Sequence, residues 1–351
     1  MPSGDNINGM PASSCFIIKL IETVGKGKIP MSVNHRKVAV IGCGFVGATS
    51  AFAIMQSGLF SEMVLLDVNH DKAEGEAMDI SHGTALVSPM RVYAGDYDDI
   101  TDAAIIVVTA GAAQKPGGTR LDLIHKNVSI FSGIMKEIRA RKPEGIMLVV
   151  ANPVDILTYY AAKTSGMGES RVFGSGTVLD TSRLRTLLAT KLDVDSRNIH
   201  AYIVGEHGDS EIVCWSNADV SGVPLADFFA LRGMGDIDFE ETQKEISDDV
   251  KNSAYEIIAK KHATYYGIGM SVARICKAIA KDEKSVLPVS VVLNGEYGIS
   301  DCALSVPAIV CRHGVESLVP ISMSEAEREA LNASAEVLKQ NMSDIDFSVN
   351  D

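Results

Sequence analysis

A single histidine, His207, stands between two glycines in the stretch IVGEHGDSE (203–211), with acids at Glu206, Asp209 and Glu211. Taken alone, the stretch suits a metal ligand, a polar surface turn or a group that passes protons, and partners elsewhere must decide. One set lies in GSGTVLDTSRLR (174–185), where Asp180 and Arg183 are three residues apart. In a helix that spacing puts both on one face, either as a surface ion pair or aimed together into a cleft. Another lies in TAGAAQKPGGTRLDL (109–123), a glycine-rich stretch with Gln114, Lys115 and Arg120. It reads as a solvated loop or as a mobile one that closes over a small molecule and excludes water.

The stretch Gly42-Cys43-Gly44-Phe45-Val46-Gly47 follows the apolar run KVAVIG and opens a helix-like segment. In a G-x-G-x-x-G turn the first glycine permits the bend, the second admits a pyrophosphate to the backbone, and the third lets helix and sheet pack closely. The free N–H groups of the helix N-terminus then face the phosphates. Asp67 follows 20 residues after Gly47, at the end of the next apolar run, MVLLDV. An acid there accepts hydrogen bonds from ribose hydroxyls and repels a 2′-phosphate, which selects NAD over NADP.

The elements that position these groups follow from pattern. Short apolar runs at 37–42, 63–68, 91–95, 103–111 and 146–153 alternate with helical segments, the pattern of a parallel sheet covered on both faces. The second half predicts a helix at 178–192, a strand at 199–205, a long helical stretch from 240 to 281, sheet at 285–295 and 302–314, and a closing helix at 324–340. The expected fold class is α/β: a Rossmann-type doubly wound parallel sheet over 31–165, then an α+β substrate domain over 166–351. Residues 1–30 read as a variable N-terminal extension.

A formal charge of −13 leaves no basic footprint for nucleic acid. The six cysteines are scattered without a Cys-x-x-Cys pair, which fits a reducing compartment and predicts neither disulfides nor a metal site. No apolar run reaches the ~18 residues needed to span a bilayer. The N-terminal segment lacks the basic lead-in of a signal peptide, so the expected location is the cytoplasm, with no membrane partner.

Together the segments IGCGFVGA, TAGAAQKPGGTRLDL, VVANPVDILT, GSGTVLDTSRLR and VGEHGDSE, in that order, resemble the L-lactate dehydrogenases of the lactate/malate dehydrogenase family from residue 37 to about 335. The resemblance implies reversible hydride transfer between NADH and pyruvate, as in anaerobic glycolysis, with His207 as proton donor and acceptor and Asp180 as the carboxylate that orients it. It implies that Arg183 grips the substrate carboxylate, that Arg120 closes over the site and polarises the carbonyl, and that Asn152 and Thr264 line the pocket. Gln114, where relatives acting on oxaloacetate carry arginine, implies pyruvate; malate or another 2-hydroxy acid is the alternative, as is a non-catalytic NAD-binding module. Cofactor contacts are implied at Gly42, Gly44, Val46, Gly47, Asp67, Lys72, Tyr97, Gly111, Ala112, Asn152 and Ser175, with no metal. Arg185 and His200 match the phosphate-binding pair of relatives that respond to fructose 1,6-bisphosphate, which implies an allosteric homotetramer.

Overall fold

The computed structural model describes residues 32–112 and 120–347, without the side chain of Arg120. The extension at 1–30 and the loop residues 113–119, Gln114 among them, lie outside the described residues. From Val33 onward the chain forms one compact unit.

The first half runs β1 (Asn34–Ile41), α1 (Phe45–Ser57), β2 (Glu62–Leu66), α2 (His70–Gly83), β3 (Arg91–Ala94), β4 (Ala103–Val108), α3 (Arg120–Arg141), β5 (Ile146–Val149), α4 (Val154–Thr164) and β6 (Val172–Gly174), in which β1 to β5 match the five predicted runs and α4 and β6 are additions. The strands pair in parallel in the order β3-β2-β1-β4-β5-β6. This is the doubly wound order whose ligands bind beyond the carboxyl ends of the strands, at the point where the order reverses. Every residue of β4 and β5 is buried, as a sheet covered on both faces requires.

The chain then continues through α5 (Val178–Leu192), β7 (Ile199–His200), β8 (Ile203–Val204), β9 (Ile212–Val213), β10 (Asp219–Val220), β11 (Val223–Pro224), α6 (Leu225–Leu231), α7 (Phe239–Lys261), α8 (Tyr266–Ala280), β12 (Ser285–Asn294), β13 (Ser300–Cys311), β14 (Gly314–Leu318) and α9 (Glu325–Met342). Strands β12, β13 and β14 extend the same sheet in antiparallel fashion. They join it by one pairing, Ser290 opposite Gly174. A side chain at Gly174 would put its Cβ 2.4 Å from Thr158 Oγ1 and 3.0 Å from Ser290 Cβ, so the join is tightly packed. A second apolar core, including Leu184, Leu188, Ile203, Phe229, Ile246 and Val250, lies between α5, α6, α7 and the short strands.

Two expectations are corrected. The stretch 240–281 is not one helix: it breaks at His262, whose φ of 67° is left-handed and ends α7, and α8 starts four residues later. The predicted strand at 199–205 is two short strands, β7 and β8, in different small sheets.

The glycine turn between β1 and α1 divides its labour as predicted. Gly42 has a φ of +99°, and a Cβ there would lie 2.5 Å from the Ala110 nitrogen. A Cβ on Gly47 would lie 1.8 Å from the Gly42 carbonyl oxygen, whereas nothing lies within 4 Å of one on Gly44. Gly47 is therefore glycine for packing, and Gly44 for what approaches from outside. Gly47→Ala should cost more than about 2 kcal/mol and lower the melting temperature by roughly 4 °C or more. Gly44→Ala should leave it within about 1 °C. Equal losses in thermal unfolding would refute this division.

Candidate active site

The carboxyl edge of the parallel strands collects the cofactor positions. The N-terminus of α1 begins at Gly44 with no side-chain cap and no acid in its first turn, so its N–H groups are oriented for an anion. Val46, half-buried, is in that turn. Asp67 sits just past β2, where one carboxylate oxygen accepts from the Cys43 N–H at 2.7 Å and the other from the Asn69 N–H at 3.0 Å. The acid is thus tied to the glycine turn, with lone pairs left for ribose hydroxyls. Thr109 Oγ1 donates to the Gly42 carbonyl at 2.7 Å and steadies the bend. Lys72 lies in the first turn of α2, and Tyr97 is half-buried past β3 with the Arg141 guanidinium 5.6 Å from its ring. The Ser175 N–H, past β6, donates to the Val149 carbonyl. Open space over Gly44, uncapped N–H groups and an anchored Asp67 fit a dinucleotide.

Sequence reasoning missed the residue that ties two of these segments together. Asn127 of α3, 1% exposed, accepts from the Ala112 N–H at 2.7 Å through Oδ1. Its Nδ2 donates to the Asn152 carbonyl at 2.7 Å and the Ala112 carbonyl at 3.2 Å. One buried amide therefore spaces Gly111-Ala112 from Asn152. An asparagine in an otherwise unremarkable helix carries no local signal of this role.

His207 leads the turn after β8. Its Nδ1 lies 2.6 Å from Asp180 Oδ2, and Arg183 Nη1 donates to Asp180 Oδ1, also at 2.6 Å. Asp180 and its second partner Arg183 both come from the first two turns of α5, on the face that the i, i+3 spacing predicts. Asp180 is 2% exposed, so this is a buried charge cluster and not a surface ion pair. Burial acts most strongly on the imidazole and would lower its pKa, but the Asp180 carboxylate, with Asp155 and Glu211 behind it, outweighs burial and holds His207 up at about 9. Burial likewise works to raise Asp180, but His207 and Arg183 prevail and keep its carboxyl below the usual range.

Two more acids complete the surroundings. Asp155 of α4, buried, accepts from the His207 backbone N–H at 2.8 Å and from the Ser290 hydroxyl at 2.6 Å. Burial raises its pKa against both bonds. Its signal was present as a lone acid in the apolar run VDIL of α4. Glu211 is pushed up to about 8, first by burial and then by the negative charge of Asp180. Donor atoms of Asp180, His207 and Glu211 lie within 4.8 Å of one another. The fold thus assembles a three-donor set that sequence spacing concealed, although Asp180 is already committed to His207 and Arg183.

Other expected site residues are placed less closely. Asn152 is exposed past β5, and Arg120 opens α3, with its side chain outside the described residues. Thr264 lies in the connection between α7 and α8, and among the described residues no hydrogen bond joins it to the His207 cluster. Arg185, further along α5, gives Nε and Nη2 to the Ala201 carbonyl, each at 3.2 Å. His200, the neighbour of Ala201, is exposed on β7.

The chain matches two family models, the lactate/malate dehydrogenase NAD-binding domain over residues 36–174 and the α/β C-terminal domain of the same family over 177–347. It is 50% identical over 315 residues to L-lactate dehydrogenase 1 of Clostridium acetobutylicum, covering 89% of this chain and 99% of that protein. It is also 50% identical over 313 residues to an L-lactate dehydrogenase of Priestia megaterium, covering 89% and 98%. The ligand-bound crystal structure of the minor L-lactate dehydrogenase of Enterococcus mundtii superimposes with a TM-score of 0.85 at 45% identity, covering 89% of this chain and 99% of that one. Fold, dinucleotide edge and matches define an NAD-dependent oxidoreductase. The chain belongs to the lactate/malate dehydrogenase family.

The Asp180–His207 couple has a testable sign. A histidine whose pKa is raised on folding adds stability that is full below its unfolded value of 6.5 and is lost as pH rises through about 9. Asp180→Asn keeps the shape and removes the charge. Its His207 pKa, followed by NMR, should fall toward or below 6.5, because burial then meets less opposition. Reductase turnover at neutral pH should drop roughly 10²-fold or more. An unmoved imidazole titration would contradict this account.

Proposed function

We propose that the chain is an NAD-dependent L-lactate dehydrogenase that interconverts pyruvate and L-lactate. The observation that carries the reading is Asp180 held between His207 and Arg183 beside a dinucleotide edge. Gly42–Gly47, Asp67 and Ser175 would hold NADH, which would supply hydride to the substrate's carbonyl carbon.

The protein's own groups handle charge and protons. With Nδ1 donating to Asp180, the imidazole presents Nε2 to the substrate. In pyruvate reduction the Nε2 proton passes to the carbonyl oxygen as that oxygen gains negative charge. In lactate oxidation the neutral imidazole takes the proton back. Asp180 stabilises the imidazolium in both directions. Arg183 spends Nη1 on Asp180, and its Nε and Nη2 suit the substrate carboxylate as a two-pronged partner. By resemblance Arg120 is the arginine that polarises the carbonyl where charge develops, a neutral Gln114 suits a substrate methyl in place of a second carboxylate, and Asn152 and Thr264 complete the pocket.

The same reading includes activation by fructose 1,6-bisphosphate at Arg185 and His200, with a stabilised homotetramer. In its support, the Arg185 guanidinium is bound to the carbonyl of the residue next to His200. Arg185 also lines a cavity of about 360 Å³ with Arg197, Arg274, Ser182 and Ser196. Among the described residues no helix is long and apolar enough to cross a membrane, which agrees with a cytoplasmic enzyme.

NADH oxidation with pyruvate, oxaloacetate and 2-oxobutyrate, each with and without the sugar bisphosphate, tests this. Pyruvate should be strongly preferred, and Gln114→Arg should move the oxaloacetate-to-pyruvate ratio by roughly 100-fold or more. The effector should lower the pyruvate concentration needed for half-maximal rate, and Arg185→Gln should abolish that response. Superimposable saturation curves would remove the regulatory claim and leave the dehydrogenase assignment intact.

A further inference from the structure

The turn that carries His207 is held from four directions. Gly205 exchanges backbone hydrogen bonds of 2.9 and 3.0 Å with Ser305 of β13. The His207 N–H goes to Asp155 of α4, and the Tyr255 hydroxyl of α7 donates to Asp209 at 2.8 Å. The fourth hold comes from Ser334 of α9, which is 1% exposed. Its Oγ accepts the Glu206 N–H at 2.9 Å and lies 2.9 Å from Ser210 Oγ, which itself donates to Glu206 Oε2 at 2.5 Å.

The proton directions follow from this arrangement. Ser210 has one hydroxyl proton, and it is spent on Glu206. With Glu206 as the carboxylate, the contact between the two serines has Ser334 as donor and Ser210 as acceptor. The result is a closed ring running head to tail: Glu206 N–H to Ser334, Ser334 O–H to Ser210, Ser210 O–H to the Glu206 carboxylate. Bonds in such a chain polarise one another and strengthen together. The ring spans His207, binding the residue before it to the third residue after it, and its only member from outside the turn is Ser334. The approach is close enough that a Cβ on Gly205 would lie 3.0 Å from Ser334 Oγ.

We infer that Ser334 is a positioning residue for the acid–base histidine, through which the closing helix α9 sets the orientation of His207 against Asp180. Its hydroxyl both takes a backbone proton ahead of the histidine and gives one to a side chain behind it. Alanine would open the ring at two points and leave the buried Glu206 N–H without its acceptor. The inference rests on the reading of His207 as the proton-transfer group.

The experiment compares the full-length parent with Ser334→Ala, Ser334→Thr and Ser210→Ala. It measures kcat and KM for pyruvate, the pH dependence of kcat/KM, the His207 pKa by NMR, and NADH affinity. Because a small displacement of a reacting group is costly, Ser334→Ala should lower kcat about tenfold or more while NADH affinity stays within about threefold. Its His207 pKa, and with it the alkaline limb of kcat/KM, should move down as the Asp180 contact loosens. Ser334→Thr, which keeps the hydroxyl, should restore at least half the parental kcat. Ser210→Ala, which opens the ring without touching α9, should reproduce the downward shift and keeps the test decisive if Ser334→Ala does not fold. Parental kcat and His207 titration in folded Ser334→Ala or Ser210→Ala would overturn the inference. A parent that reduces no 2-oxo acid would instead sink the dehydrogenase reading, and the NMR titration would still judge whether Ser334 orients the histidine.

Discussion

A carboxylate taken almost wholly out of water is costly unless cations meet it. Asp180 satisfies that demand with two, an imidazole and a guanidinium, each at 2.6 Å. Most of the site follows from it. The need for a cation keeps His207 charged through neutral pH, and the hydrogen bond selects which ring nitrogen faces outward. With both partners charged, Asp180, His207 and Arg183 taken together carry a net positive charge beside the buried acids Asp155 and Glu211, within a chain whose formal charge is −13.

The parallel sheet delivers the other half of the site by geometry alone. Strands running the same way end on the same side, so the turns after β1, β2, β4, β5 and β6 converge without being near one another in sequence. The glycine turn, Asp67, Ala112, Asn152 and Ser175 all belong to those turns. What keeps them in register is a small number of buried polar contacts, above all the Asn127 amide between two of the turns.

The parts legible in the sequence were those with a local period or a fixed chemical spacing. Buried strands such as AAIIVV, the glycine turn with its acid, and the Asp180–Arg183 pair are of this kind, and the structure places them as read. The helix α4 escaped because it is buried on nearly every side and so shows no amphipathic stripe. Strand β6 is three residues long, too short for any period. The break at His262 turns on a left-handed residue that is not a glycine, after which residues 263–265 stay outside either helix. Asp155, Asn127 and Ser334 act over separations of 52, 25 and 128 residues, and a single sequence records no sign of such partnerships.

The junction of Ser290 with Gly174 joins the parallel and antiparallel parts of the sheet, and the same Ser290 hydroxyl steadies the acid that supports His207. Architecture and chemistry therefore share one small residue at the most crowded seam of the molecule. A side chain added at Gly174 has almost no room, so any enlargement at this seam would push on the sheet and on the acid beneath the histidine together.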